Sequence, residues 1–308
     1  MNIYHNEKYN GTKVDFETFQ KSQFIAEAIR ANLISPYDLQ DPKIMLSLAE
    51  VWVKNSITPE YYNALMTGKP EYLASSNGFP WDEGFMPMVN NSTAGIMQAV
   101  VDVVSGDDVA VSLSCGMHHA GPGMGDGYCT VNSLAIGAIF ASREFNRKVT
   151  VLDLDAHCGG GTYKYILQER GFRRNNINQV DVSVSPFDSY RPTSPKDHFE
   201  VVSSRGTKTQ LDKDRNYLNA VEKALDNFIT DDTDIVFYNA GVDIYPIISP
   251  EGVKAREEMV AQALHGKPTV IVMAGGYGTM EEIVPLHMAT LNAFARRGSM
   301  AACSPLSQ

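Results

Sequence analysis

Cysteine is scarce in this chain. Its 308 residues contain 4, at positions 115, 129, 158 and 303, with no CxxC pair among them. That spacing excludes a compact disulfide framework and a zinc ribbon, and it makes a reducing compartment the default. Positive charge is also short: 26 Lys and Arg stand against 36 Asp and Glu, a formal net charge of −10. No basic footprint for nucleic acid or for an anionic membrane is therefore expected. No uninterrupted apolar run reaches the roughly 18 residues of a membrane span, and the opening MNIYHNEKYNG lacks a basic segment followed by an apolar one. The expectation is a cytoplasmic protein, neither exported nor membrane-spanning. With 44% hydrophobic and 20% charged residues the composition is that of an ordinary globular chain. At about 150 residues per domain, its length suits two domains or one large α/β unit.

Five short runs rich in Val, Ile, Leu and Tyr read as buried strands: 108–114, 149–154, 180–185, 234–239 and 268–274. Between most of them, at 91–105, 131–146, 214–229 and 252–265, apolar residues recur at three- and four-residue spacing, as in Tyr217, Val221, Ala224, Leu225 and Phe228. Strands alternating with helices predict a single open, mostly parallel sheet with helices on both faces. No composition shift, repeat or low-complexity tract marks a boundary, so residues 1–308 are read as one domain. The first 80 residues are read as a helical flank of it, with a helix over 16–31.

In an open parallel sheet, ligands bind beyond the carboxyl ends of the strands. Four predicted strand ends carry reactive side chains: Gly116-Met117-His118-His119, Asp155-Ala156-His157, Gly241-Val242-Asp243 and Gly275-Gly276-Tyr277. Asp153, Asp155 and His157 share parity on an extended segment, so their side chains leave the same side of it. Asp155 and His157 with Asp243 offer two oxygens and one nitrogen, leaving a fourth position for water, as a catalytic zinc requires; Fe2+, Co2+ or Mn2+ suit the same donors. An Asp-x-His at a strand end also serves to cap the next helix, and Asp243 after a second strand favours the metal. Tandem histidines are often structural, one in the core and one at the surface. Beside a metal, His118 and His119 supply a general base and a general acid. Tyr277 is either a packed aromatic or a phenol able to hydrogen-bond an oxyanion.

These segments, in this order, resemble the histone deacetylases and their bacterial amidohydrolase relatives. CGMHHAGPGMGDGYCTVNSLAIGA is similar to the family's His-His segment, VTVLDLDAHCGGGT to its Asp-x-Asp-x-His block, NAGVDIYP to its Ala-Gly-x-Asp segment and VIVMAGGYG to its Gly-Gly-Tyr segment. The likeness spans about 100–290 and is only vague before residue 80. It implies an arginase/deacetylase-like α/β fold and metal-dependent hydrolysis of an N-acyl amide such as acyl-lysine, an acetylated polyamine or a small acylated amine. By the same resemblance Asp155, His157 and Asp243 are the zinc ligands, His118 and His119 the tandem histidines, Asp153 the partner of His118, and Tyr277 the carbonyl-polarising phenol. Gly127 and Tyr128 line a narrow substrate channel. Asp153, Asp155, His157 and Ser185 surround a structural K+ or Na+. The net charge of −10 further favours a cationic substrate.

Three departures from the family pattern stand out. Cys158 follows the ligand His157, where a packed thiol is the expectation. Gly160 takes the place of the acid or amide that would partner His119, leaving that imidazole to water or to another group. The segment 186–206 replaces the usual channel loop, with Phe187 and Tyr190 both candidates for the second channel wall. Asp82, Glu83 and Glu71 are candidates for an acidic grip on substrate. The missing partner at Gly160 makes a metal-binding acyl-group reader without turnover the rival reading. A ureohydrolase fits less well, because Cys158 and Gly159 after His157, and Ile244 and Tyr245 after Asp243, provide no carboxylates for a second metal. The glycines of GPGMGDG follow His-His-Ala and do not join a strand to a helix, so a dinucleotide fingerprint is discounted.

Overall fold

The parity of apolar residues along each strand fixes which face it covers. In the computed structural model, which describes residues 1–31, 37–172, 176–207 and 209–300 (297–300 by backbone alone), the predicted strands form as β3 (Val109–Ser112), β4 (Val149–Asp153), β5 (Ile177–Ser183), β7 (Ile235–Asn239) and β8 (Thr269–Val272). Val111, Leu152, Val236, Tyr238 and Ile271 pack into one apolar cluster, while Ala110, Val149, Val151, Ile235, Phe237, Val270 and Val272 pack into another on the opposite face. Burial on both faces explains why these strands read as continuous apolar runs and not as alternations.

The first face is covered by α1 (Lys21–Ala31), α8 (Gln210–Phe228), α9 (Pro250–Ala263) and α10 (Met280–Met300). The second is covered chiefly by α5 (Phe85–Ser105), α6 (Ser133–Phe145) and α7 (Gly160–Gly171). Among the described residues eight strands form one sheet in the order β2-β1-β3-β8-β7-β4-β5-β6, every neighbouring pair parallel. The open, parallel, doubly covered sheet expected from the sequence is thus the one observed.

Residues 1–80, read as a helical flank, also hold strands that this reading did not include. They contribute β1 (Asn2–Tyr4) and β2 (Asp38–Gln40) to one edge of the sheet, together with α1, α2 (Leu46–Ser56), α3 (Pro59–Thr67) and α4 (Glu71–Ala74). Three residues give no readable alternation, which is why these strands escaped notice; β6 (His198–Val201), at the other edge, is only half-buried along its length and so leaves no apolar run. The helix expected over 16–31 begins as a 3-10 turn at Glu17–Gln20 before α1. Four strands with reactive ends, β3, β8, β7 and β4, are consecutive in the sheet, so their carboxyl ends open onto a common site.

Candidate active site

Asp155 and His157 leave the end of β4 and Asp243 leaves the end of β7, the strand beside it. One ligating atom from each of the three lies within 4.8 Å of the others. His157 Nδ1 is 3.2 Å from Asp155 Oδ1 and 3.1 Å from Asp243 Oδ2. Both carboxylates are buried, and Asp243 Oδ2 has no hydrogen bond that satisfies it. Packing two carboxylates this closely raises the Asp243 pKa, through burial first and then the Asp155 charge. The imidazole between them is pushed up to about 10, by its hydrogen bond to Asp155 first and by Asp243 next. An unsatisfied buried carboxylate oxygen beside a second carboxylate and an imidazole calls for a cation, and two oxygens with one nitrogen fit a divalent metal with an open position.

Two His-carboxylate pairs stand next to this triad. His118 Nδ1 is 2.8 Å from Asp153 Oδ2, and Asn239 Nδ2 donates to Asp153 Oδ1 at 2.8 Å. Burial alone would depress His118, but Asp153 and Asp155 outweigh it and hold the imidazole well above its ordinary pKa. The His119 ring lies 3.9 Å from that of His118, and its Nδ1 is 3.1 Å from Asp188 Oδ2. Here burial, and then the neighbouring His118, hold the pKa below its ordinary value. The carboxylate at Asp188 answers the question left by Gly160: His119 does have an acidic partner, from the β5–β6 connection.

The loops are fixed from behind. Asn132, which caps α6, donates to the carbonyls of His118 and Ala120 at 3.1 and 3.2 Å, and so holds the tandem-histidine segment. The fully buried Arg256 donates to the carbonyls of Leu154 and Gly241 at 2.9 and 2.7 Å, tying together the two loops that carry the triad. Its charge is met by Glu257, which also accepts from Tyr238.

Above the histidines opens a cavity of about 590 Å³ lined by Phe16, His119, Gly127, Tyr128, His157, Ser185, Phe187 and Tyr277. Its wall is aromatic: Phe16 lies 5.2 Å from Tyr128 and 6.2 Å from Tyr277, and Phe187 stands edge-on to His119 at 4.9 Å. The Tyr277 phenol is held protonated far above its usual range, by desolvation first and then by Asp155 and Asp243.

A model of the histone deacetylase domain matches residues 53–291. The chain belongs to the histone deacetylase family. It is 28% identical over 258 residues to an uncharacterized protein of Picosynechococcus sp., covering 80% of each. Over 144 residues it is 26% identical to the acetoin utilization protein AcuC of Staphylococcus aureus, covering 44% of this chain and 36% of that protein. Its fold superposes on acetylpolyamine aminohydrolase from Burkholderia pseudomallei with a TM-score of 0.69 at 17% identity, covering 96% of this chain and 98% of the other. The HDA15 HD domain superposes with a TM-score of 0.69 at 16% identity, covering 96% and 90%. The arginase/deacetylase-like fold is the one that this histone deacetylase relative adopts.

The structure brings together Asp153, Asp155, His157, Asp243, His118 and His119 at the strand ends, with Tyr277, Tyr128 and Gly127 on the cavity wall. Of the two candidates for the second wall, Phe187 faces the cavity, whereas Tyr190 turns inward and stacks on Tyr163 at 4.2 Å. Ser185 lies on the cavity wall and Ser183 is the serine buried beside Cys158, 3.2 Å from its Sγ. Cys158 is the packed thiol expected, fully buried. Asp82 accepts from Gly84 N and Glu83 pairs with Lys13, and neither these nor Glu71 line this cavity. Phe16, Asp188, Asn239 and Arg256 were missed by sequence reasoning, as was Asp181, which neighbours Asp153 in the sheet. Asp181 is raised well above the carboxylate range by burial first and then by Asp153, and its Oδ1 has no partner. Cys303 lies outside the described residues, and among the described residues no helix is long and apolar enough to cross a membrane.

Proposed function

We propose that this chain hydrolyses the amide of an N-acylated alkylamine: an acyl-lysine, an acetylated polyamine or a related small metabolite. The observation that carries this reading is the meeting of a two-carboxylate, one-imidazole triad with two His-carboxylate pairs at the foot of an aromatic-walled cavity. We assign zinc to Asp155, His157 and Asp243, with Fe2+, Co2+ and Mn2+ suited to the same donors. A structural K+ or Na+ near Asp153, Asp155, His157 and Ser185 has support in the orphaned Oδ1 of Asp181 beside Asp153. We take residues 1–308 as one catalytic unit, since Phe16 joins the cavity wall.

When bound, the metal would polarise the amide carbonyl and lower the pKa of a water from about 15.7 to about 7. His119, which faces the cavity and whose pKa is held low, takes the proton of the attacking water and returns it to the amine nitrogen. That delivery is needed because an unprotonated amide nitrogen is a poor leaving group. His118 lies behind, held positive by Asp153 and Asp155. Tyr277, still protonated at neutral pH, donates to the carbonyl oxygen as it gains charge, an interaction that strengthens in the transition state. Tyr128, Phe187 and Phe16 grip the alkyl chain.

The acyl-reader alternative rested on an unpartnered His119, and Asp188 removes that ground. Metal-reconstituted turnover on an acetyl-lysine peptide, a longer-chain acyl-lysine peptide, N-acetylated polyamines and arginine, with Asp243→Ala as control, tests the proposal. Metal-dependent release of a free amine supports it. Urea from arginine, or tight metal binding without turnover on any substrate, overturns it.

A further inference from the structure

The carboxylate on His119 arrives from an unexpected direction. Asp188 sits in the turn that follows β5 and packs against the start of α7, where its side chain is only 8% exposed and its Oδ2 lies 3.1 Å from His119 Nδ1. The same oxygen accepts the Gly161 N–H at 2.9 Å, and the Lys164 ammonium lies 3.9 Å from Oδ1. Its backbone is held at φ 55, in the left-handed region that few residues except glycine, asparagine and aspartate tolerate. Neighbours lock this turn: Phe187 packs its ring edge against both His119 and His157, its carbonyl accepts from Cys158 N at 3.0 Å, and Ser189 Oγ bonds the Pro186 carbonyl at 2.7 Å.

Gly160 is the other half of the arrangement. A Cβ on residue 160 would lie 2.3 Å from both Oδ1 and the backbone oxygen of Asp188. Atoms at that distance overlap, so the Asp188 carboxylate fills the volume that any side chain at 160 would claim. The absence of a side chain at 160 and the presence of a carboxylate at 188 are therefore one structural fact.

We propose that Asp188 is the positioning residue of His119, fixing its tautomer and ring plane from the β5–β6 connection across the space left by Gly160. The proposal rests on the reading of His119 as the proton carrier of the reaction. Asp188 touches neither substrate nor metal ligand and acts through the imidazole. An imidazole whose Nδ1–H is held by a carboxylate presents Nε2 as the free base toward the cavity, and it gains charge more readily when a proton arrives.

A purely structural role is the competing account, because Asp188 also caps the first turn of α7 through Gly161. Asp188→Asn separates the two. Asparagine keeps an oxygen for the Gly161 N–H and the same shape, so the fold and thermal midpoint should hold, but it carries no charge to support an imidazolium. The expected result is a fall in kcat of about 10- to 100-fold, the range for loss of such an outer partner, with KM changed little. In parallel, 15N-histidine NMR of this variant without added metal should show the Nδ1–H resonance of His119, assigned by its absence in His119→Gln, moved upfield from its carboxylate-bound position, because the accepting oxygen no longer carries charge. Gly160→Ala keeps every carboxylate in the chain and should abolish the same resonance by displacing Asp188. Wild-type kcat in Asp188→Asn overturns the proposal. So does an unchanged Nδ1–H resonance, whatever the turnover. If the wild-type protein proves inactive on every amide tested, the deacylase reading fails while the resonance still decides whether Asp188 holds His119.

Discussion

Gly275 and Asp243 approach each other so closely that a methyl group on Gly275 would lie 2.3 Å from Asp243 Oδ1. The glycine also has a φ of +61, a conformation that L side chains rarely adopt. A turn from β8 is thereby pressed against a carboxylate from β7, and only a residue without a side chain lets them coexist. Gly275→Ala should push the Asp243 carboxylate out of reach of His157. The expected outcome is metal affinity lowered by about 10- to 100-fold, in the range seen when a ligand's support is lost, measured by competition with a chromogenic chelator. Unchanged affinity would mean that Asp243 is not a ligand. Asp243→Ala itself should abolish stoichiometric metal binding and turnover together.

Two residues further along the same turn, Tyr277 reaches the cavity wall. Its phenol pKa is raised above the ordinary range, by desolvation first and then by Asp155 and Asp243, so it is a donor at neutral pH. Tyr277→Phe keeps the ring contact with Phe16 and removes only the hydroxyl. Turnover should drop by roughly 10²-fold or more, as for loss of an oxyanion donor, with metal content unchanged. Wild-type turnover would reduce Tyr277 to a wall residue.

Arg256 concerns stability as much as function. It is fully buried, and its guanidinium meets two loop carbonyls and Glu257. Arg256→Met should leave Glu257 buried without its counter-charge, at a cost of about 3–5 kcal/mol, read from urea denaturation of the metal-free protein. The freed carbonyls of Leu154 and Gly241 should also loosen the triad and weaken metal binding. Arg256→Lys should recover part of the charge term but not both carbonyl contacts, because an ammonium lacks the planar fork of donors. Equal stability in all three proteins would contradict this account.

The central strands were legible because each is buried on both faces and so leaves an apolar run in the sequence. The grouping of Asp155, His157 and Asp243 was legible because they stand just after those runs, with Asp155 and His157 two residues apart. Asp188 was not, since its link to His119 runs between residues 69 apart in sequence and passes through a turn with no periodicity. Arg256 was hidden in the same way: on a helix, a lone arginine reads as a solvent-facing residue, and only the packed structure places it beneath two loops. Phe16 could be assigned to a helix start but not to a cavity wall, because that depends on its ring meeting Phe79, Tyr128 and Tyr277 from distant parts of the chain.

His5 offers a check on the fold that is independent of the site. It follows β1, stacks edge-on against Tyr9 at 5.6 Å, and its Nε2 is buried without a partner. Burial, and then Arg30, lower its pKa from 6.5 to about 4. The unfolded chain therefore binds this proton between about pH 6.5 and about pH 4 while the folded chain does not, so stability must fall as the pH is lowered through that window. Above pH 6.5 both states are neutral at this position and the residue has no pH effect. His5→Phe keeps an aromatic ring against Tyr9 and removes the titration. Its melting temperature should decline less steeply than that of the wild-type protein between pH 6.5 and 4, with the two curves running parallel above pH 7. Parallel curves throughout would mean that His5 titrates normally and that the β1 edge admits water.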